Sequence, residues 1–197
     1  MSINLSSIAK YVGGAVITIF LGALGSGLWE NLISPFIRYT FILANNLISF
    51  VYSGYYDSVY RAASSDFNDA YMVKITSLII IITGFFVMYR MSSVASLLMK
   101  FGFMKFQMFI FGVLIFTFGY FMLARADSVQ IVESYSHMSM EILRPYVGEP
   151  EYRLLKSNYY RITNEKGFLS FNKQLVTLSK TFNVDLPGKY NKAFKRN

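Results

Sequence analysis

The sequence predicts an all-α protein: a polytopic bundle of membrane helices, with four spans or three plus one interfacial helix, joined to a small C-terminal helical domain. Three observations lead there. Of its 197 residues 54% are hydrophobic and only 15% charged, more apolar surface than a soluble domain carries. Four apolar windows fall before residue 125. Beyond Arg125 the unbroken apolar runs give way to amphipathic segments separated by turn signals. The expected division is therefore a transmembrane domain over 1–125, with spans near 11–29, 36–55, 72–89 and 106–124, and a basic soluble domain over 126–197.

The first window, YVGGAVITIFLGALGSGLW, and the last, FQMFIFGVLIFTFGYFMLA, each hold nineteen uncharged residues. Either is long enough for a hydrocarbon core of roughly 30 Å at about 1.5 Å per residue. No small-residue cleavage site of the A-x-A type closes the first, so it is expected to be a retained span and not a removed signal peptide. The third window, between Lys74 and Arg90, has fifteen uncharged residues and is the most apolar in the chain. It becomes a full span from Tyr71 to Tyr89 if Lys74 snorkels to the headgroups.

The second window, YTFILANNLISFVYSGYY, has Asn45 and Asn46 at its centre. On a helix Asn31, Ser34, Arg38, Asn45 and Ser49 fall within roughly 40° of one line, among apolar neighbours such as Leu43, Leu47, Phe50 and Val51. This polar stripe fits a helix lying on the membrane, or a span whose stripe faces a helix partner or a water-filled lumen. Its length and narrowness favour the span. Pro35 suits the first turn, where its missing N–H costs nothing. One subunit is too small to enclose a pore, so a channel would need an oligomer. Gly22 and Ser26, Ala23 and Gly27, and Gly112 and Gly119 have spacings that allow close helix approach, although glycine is common in membrane helices generally.

Charge does not fix the orientation. Lys10, Arg61, Lys74 and Arg125 fall on one side of four spans; Arg38, Arg90, Lys100 and Lys105 fall on the other. A basic, cysteine-free tail favours placing the C-terminal domain in the cytoplasm, while the cations of YRMSSVASLLMKFGFMK argue the opposite way.

Three helices are expected in the tail. Phe168, Phe171, Leu175, Leu178 and Phe182 form the clearest stripe; Tyr152, Leu155, Tyr159 and Ile162 form the second, and Val132, Tyr135 and Ile142 the first. GEP at 148–150, NEKG at 164–167 and LPG at 186–188 punctuate them. So small a core is expected to gain stability from neighbouring copies. Eleven cations stand against seven acids beyond residue 126, which suits an anionic membrane surface, a phosphate-bearing ligand or an acidic partner. Arg153, Lys156, Ser157 and Tyr160 project from one side of the second helix, supplying cations for phosphate, a hydroxyl and an aromatic face for a base. A solvated face of ordinary cations is the simpler reading of the same residues. Lys189, Lys192, Lys195 and Arg196 suit a solvated or headgroup-binding end.

No cofactor, metal site or catalytic activity is expected. The chain has no Cys and one His, His137, and it lacks a Walker loop, a G-x-S-x-G elbow, an H-E-x-x-H motif and paired acids within a span. A lipid- or glycan-modifying enzyme would normally need interfacial acids or histidine. Direct DNA binding is not expected.

The elements LGALGSGLWENLISPF, DSVY and EPEYRLLKSNYYRITNEKGFLSFNKQLVTLSKTFNVDLP give an organisation that resembles the small multi-span membrane effectors of bacterial antiviral defence. Within that group it looks most like the CRISPR-associated membrane effectors switched by cyclic tetra-adenylate. The resemblance implies a homotetramer in a bacterial inner membrane. Its cytoplasmic domains would bind the cyclic nucleotide, and its membrane domains would open a pore or disturb the bilayer. The small membrane subunit of the Kiwa defence system is similar in shape and implies instead a scaffold that holds a soluble protein partner.

Overall fold

The computed structural model describes residues 26, 28–65, 70–94 and 102–188, and every described regular element is helical. A π-helical turn, Trp29–Ile33, precedes five helices: α1 Ser34–Val51, α2 Tyr55–Ala63, α3 Ala70–Val94, α4 Gly102–Tyr160 and α5 Glu165–Phe182. The expected first span at 11–29 falls almost wholly outside the described residues, as do Gly22, Ala23, Gly27 and the cations at 189–196. By contact the chain forms two units, 1–43 and 44–197. In the first, the π-helical turn leads directly into α1, with the Ser34 N–H bonded to the Trp29 carbonyl and Pro35, which has no N–H to donate, next in the chain.

Among the described residues two helices are long and apolar enough to cross a membrane: Tyr71–Arg90 of α3, and α4 from Phe106 onward. The 36–55 window is not one continuous helix. α1 ends at Val51, the chain turns through Tyr52, Ser53 and Gly54, and Tyr55 opens the next helix. Arg38, Thr40, Asn45 and Asn46 lower the apolar content of α1, and Asn45 and Asn46, near its end, accept from the hydroxyls of Tyr55 and Tyr56.

The two apolar helices run antiparallel. Lys74 meets Asp127 at 3.4 Å and also bonds Gln130, while farther along the pair Phe85 packs edge-on against Phe116 with centroids 5.7 Å apart. Their approach depends on glycine. A Cβ on Gly84 would lie 2.8 Å from the Phe116 backbone nitrogen, and one on Gly119 would lie 2.8 Å from Ile80 and 3.1 Å from the Ile81 nitrogen. Gly112 and Gly119 both face this seam, the role their spacing allows in lipid.

The C-terminal bundle has four helical segments, one more than the three expected of the tail. α4 continues past its apolar part to 147, breaks at Gly148 (φ 77°, ψ 165°) between Pro145 and Pro150, and returns over 149–160. The return is antiparallel: Tyr152 bonds Glu141, and the Tyr159 ring packs against His137. α5 then runs parallel to the outgoing arm, with Tyr135 donating to Asn172 at 2.8 Å and the Tyr146 ring 5.9 Å from that of Phe182, tilted by 34°. Asn164 caps α5 by accepting from the Gly167 N–H at 2.8 Å, satisfying a first-turn donor.

The fourth segment is α2. Tyr55, Val59 and Ala63 recur every four residues and, with Tyr60, are buried, sharing one core with Val129, Val132, Leu143, Leu155, Tyr159, Phe168, Phe171 and Leu175. Tyr60 stacks on Phe168 at 4.5 Å. Three polar ties hold α2 in place: Ser64 donates to the Ile162 carbonyl at 2.7 Å, Tyr159 donates to the Ala63 carbonyl, and Asp57 accepts from the Glu165 N–H at 2.7 Å. The core therefore crosses the compositional boundary at 125/126.

Candidate functional site

The helix that returns after Gly148 turns its apolar stripe inward, with Leu155 and Tyr159 fully enclosed. This leaves Arg153, Lys156 and Tyr160 on the outer face and Ser157 half-buried beside them. Spacings of three and four residues place the first three along one strip. The Lys156 ammonium lies 5.8 Å from the centre of the Tyr160 ring, within cation–π range. Arg153 is the most open member, yet its Nε lies 3.8 Å from Oε2 of Glu149.

The backbone break adds residues that the sequence reading did not gather. Arg144, from the outgoing arm, bonds Oε1 of Glu149 at 2.5 Å and approaches Glu141 at 3.6 Å, while its guanidinium covers the Tyr152 ring at 4.8 Å. Arg144, Glu149, Arg153 and Lys156 thus form one charged run with a single acid between two arginines. The Arg144 hydrogen bond, supported by its charge, holds the Glu149 carboxyl below the usual range, and the same bond raises the arginine. The only sequence clue was that GEP makes the chain reverse, which carries Arg144 back to Glu149. Chemically, the strip sets cations beside a partly exposed aromatic ring, groups of the kind that hold a phosphate and stack on a base.

The polar stripe of α1 is not a uniform surface. Asn31 and Arg38 are exposed and Ser34 is half-buried within the first unit. In the second unit Asn45 is buried, whereas Ser49 is half-buried and donates only to the Asn46 carbonyl of its own helix at 2.9 Å. Asn45 is a packing residue: it donates to Ser128 Oγ at 2.7 Å and accepts from the Tyr55 hydroxyl at 2.5 Å. Ser128 in turn donates to the Ala124 carbonyl at 3.1 Å. One amide thus ties α1 and the start of α2 to α4 just beyond its apolar run. Burial, reinforced by neighbouring Tyr56, pushes the Tyr55 hydroxyl up to about 12 against the opposing pull of Arg125. No protein-family model, curated protein or solved structure matches the chain.

Proposed function

We propose that the chain is an oligomeric membrane effector of antiviral defence: its C-terminal bundle senses a polyanionic ligand of the cyclic oligoadenylate class, and its membrane helices respond by opening a pore or disturbing the bilayer. In this reading the chain crosses a bacterial inner membrane four times, through the 11–29 window, α1, α3 and α4. It assembles as a homotetramer with the bundle in the cytoplasm. The observation that supports it is the continuity of α4, which runs without a break from its apolar segment into the bundle core as far as Val147. That stretch of helix is about 70 Å long at 1.5 Å per residue, so a shift of the bundle is carried directly into the apolar pair. A ligand that prefers one of two bundle arrangements would shift the population of the membrane part with it.

The test is made with the full chain in lipid vesicles loaded with a self-quenched dye. Leakage that rises on adding cyclic tetra-adenylate, together with a nucleotide adduct on a tetramer in native mass spectra, is the expected result. No adduct and no leakage with any cyclic oligoadenylate would overturn it. A second reading, a membrane anchor that holds a soluble protein, draws on the exposed Met138, Leu154 and Leu169 of the bundle surface, because exposed apolar side chains suit a protein partner. Stoichiometric co-purification of one protein with a non-leaky membrane subunit would favour that reading.

A further inference from the structure

The tip of α1 carries the most exposed large apolar side chains among the described residues. Phe50 is 89% exposed and Val51 86%, with Leu47 and Tyr52 beside them also more than half exposed. Their level along the molecule is fixed by contacts that converge on one short stretch of α4: Asn45 bonds Ser128, Lys74 bonds Asp127 and Gln130, and Arg125 reaches the Ser58 carbonyl at 3.4 Å. That stretch directly follows Ala124, where the long apolar run of α4 ends, and Lys74 stands one turn inside the start of α3. Residues 124–130 therefore mark where the apolar helix pair meets water.

Phe50 is five residues beyond Asn45, roughly 7.5 Å along the helix. Whichever way the α1 axis tilts, the tip stays about one headgroup layer from that level, since the polar layers add some 10–15 Å in total to a core of about 30 Å. Tyr52 is of a type enriched at this depth. Arg61, exposed one turn past Ser58, supplies a cation suited to lipid phosphates.

From this placement we infer that the tip formed by Leu47, Phe50, Val51 and Tyr52 is a membrane-interface anchor, inserted among headgroups and the first acyl carbons beside the α3–α4 pair. Lipid is the partner because the tip stands within about one headgroup layer of the level at which the apolar pair of α3 and α4 ends, fixed by the Asn45–Ser128 and Lys74–Asp127 contacts. Four side chains at a helix tip are also far fewer than the 20–30 residues a side of an ordinary protein interface. The inference rests on the reading of α3 and α4 as membrane spans.

The cysteine-free chain allows a direct test. Phe50→Cys, Val51→Cys, Ile82→Cys and Leu154→Cys variants of the full chain are labelled with an environment-sensitive fluorophore and placed in nanodiscs containing lipids with quenchers at shallow or deep acyl positions. Phe50→Cys and Val51→Cys are expected to show blue-shifted emission and to lose about half of it to the shallow quencher, as befits insertion to about 5–10 Å. Ile82→Cys should respond more to the deep quencher and Leu154→Cys to neither. Water-like emission at 50 and 51, or a blue shift with no lipid quenching, as a second copy would give, overturns the anchor while Ile82→Cys keeps the span reading intact. An unquenched Ile82→Cys overturns both.

Discussion

The Tyr55 hydroxyl and the Asn45 side chain share a 2.5 Å hydrogen bond in the interior, and the other end of that amide holds Ser128. Asn45→Leu would take away the buried acceptor of the Tyr55 hydroxyl and the donor to Ser128, leaving the hydroxyl with Ser128 alone beside it, whereas Ser128 keeps its bond to the Ala124 carbonyl. A lost buried hydrogen bond costs about 0.5–1.5 kcal/mol, and two are lost here. Asn45→Leu is therefore expected to lower the melting temperature in mild detergent, while Ser49→Leu, which loses only a local bond, should stay within about 0.5 kcal/mol of the parent. Equal effects of the two would revive a shared polar stripe.

The raised Tyr55 pKa makes a pH prediction. The folded chain keeps this phenol protonated up to about 12, whereas an unfolded chain releases the proton near pH 10. Between those values the unfolded state binds fewer protons, so the contribution is complete below pH 10 and lost as pH rises toward 12. Chemical unfolding at stepped alkaline pH should show a shallower loss of stability for Tyr55→Phe than for the parent across this window. Parallel curves would contradict it.

Gly84 and Gly112 face each other across the α3–α4 seam but differ in what an added methyl would strike. At Gly84 it meets the Phe116 backbone nitrogen at 2.8 Å; at Gly112 the short contact, 2.7 Å, is with the side-chain Cγ of Met88, and the nearest backbone atom, the Gly84 carbonyl oxygen, is 3.3 Å away. Overpacking against a rigid neighbour costs about 1–3 kcal/mol, and a methionine chain can move aside. Gly84→Ala should thus destabilise the protein clearly more than Gly112→Ala in denaturant titrations in detergent. The reverse order would mean that the seam is not as close as described.

The amphipathic stripes of the tail were legible because each is a local repeat. Leu155, Tyr159, Ile162, Phe168, Phe171 and Leu175 are all buried as their spacing predicts. At the far end of α5 the stripe fades, and Phe182 is 36% exposed. The fourth segment was not legible as part of the bundle, although Tyr55, Val59 and Ala63 recur at intervals of four. Its partners lie some 70 to 110 residues away, and local periodicity says nothing about which distant face a helix covers. The same limit applies to Asn45: a polar residue amid apolar ones marks an inward face, but a lumen and a hydrogen-bonded contact look alike without the neighbouring Ser128. In consequence a fragment beginning at 128 would lack Tyr55, Val59 and Tyr60 and leave Phe168 without its stacking partner, so ligand studies call for the full chain.

Gly148 is the hinge on which the bundle closes. Its φ of 77° with ψ of 165° lies in a region essentially reserved for glycine. Nothing lies within 4 Å of an added Cβ, so the penalty for Gly148→Ala is purely conformational, of order 1–3 kcal/mol. Hydrogen exchange should report it as faster opening of 149–160 while the α3–α4 seam stays protected. A uniform change across the chain would speak against a local hinge.

The charged strip around Glu149 yields the prediction closest to function. Arg144 and Arg153 both lie against this carboxylate, so a ligand phosphate would have to compete with it. Lys156 stands over the Tyr160 ring that a base would use. With cyclic tetra-adenylate as probe and the full chain in nanodiscs, Glu149→Gln should tighten binding by removing the competing charge. Arg153→Ala and Lys156→Ala should weaken it, each by several-fold, in line with about 1.5–3 kcal/mol for a charge-assisted bond discounted for exposure. Raising the salt concentration should shrink these charge effects, whereas Tyr160→Ala should cost a similar factor at both salt levels because stacking is not screened. Binding that is unchanged in all four variants would place any nucleotide elsewhere, and a Glu149→Gln chain that binds more weakly than the parent would make the acid part of the binding surface instead of its competitor.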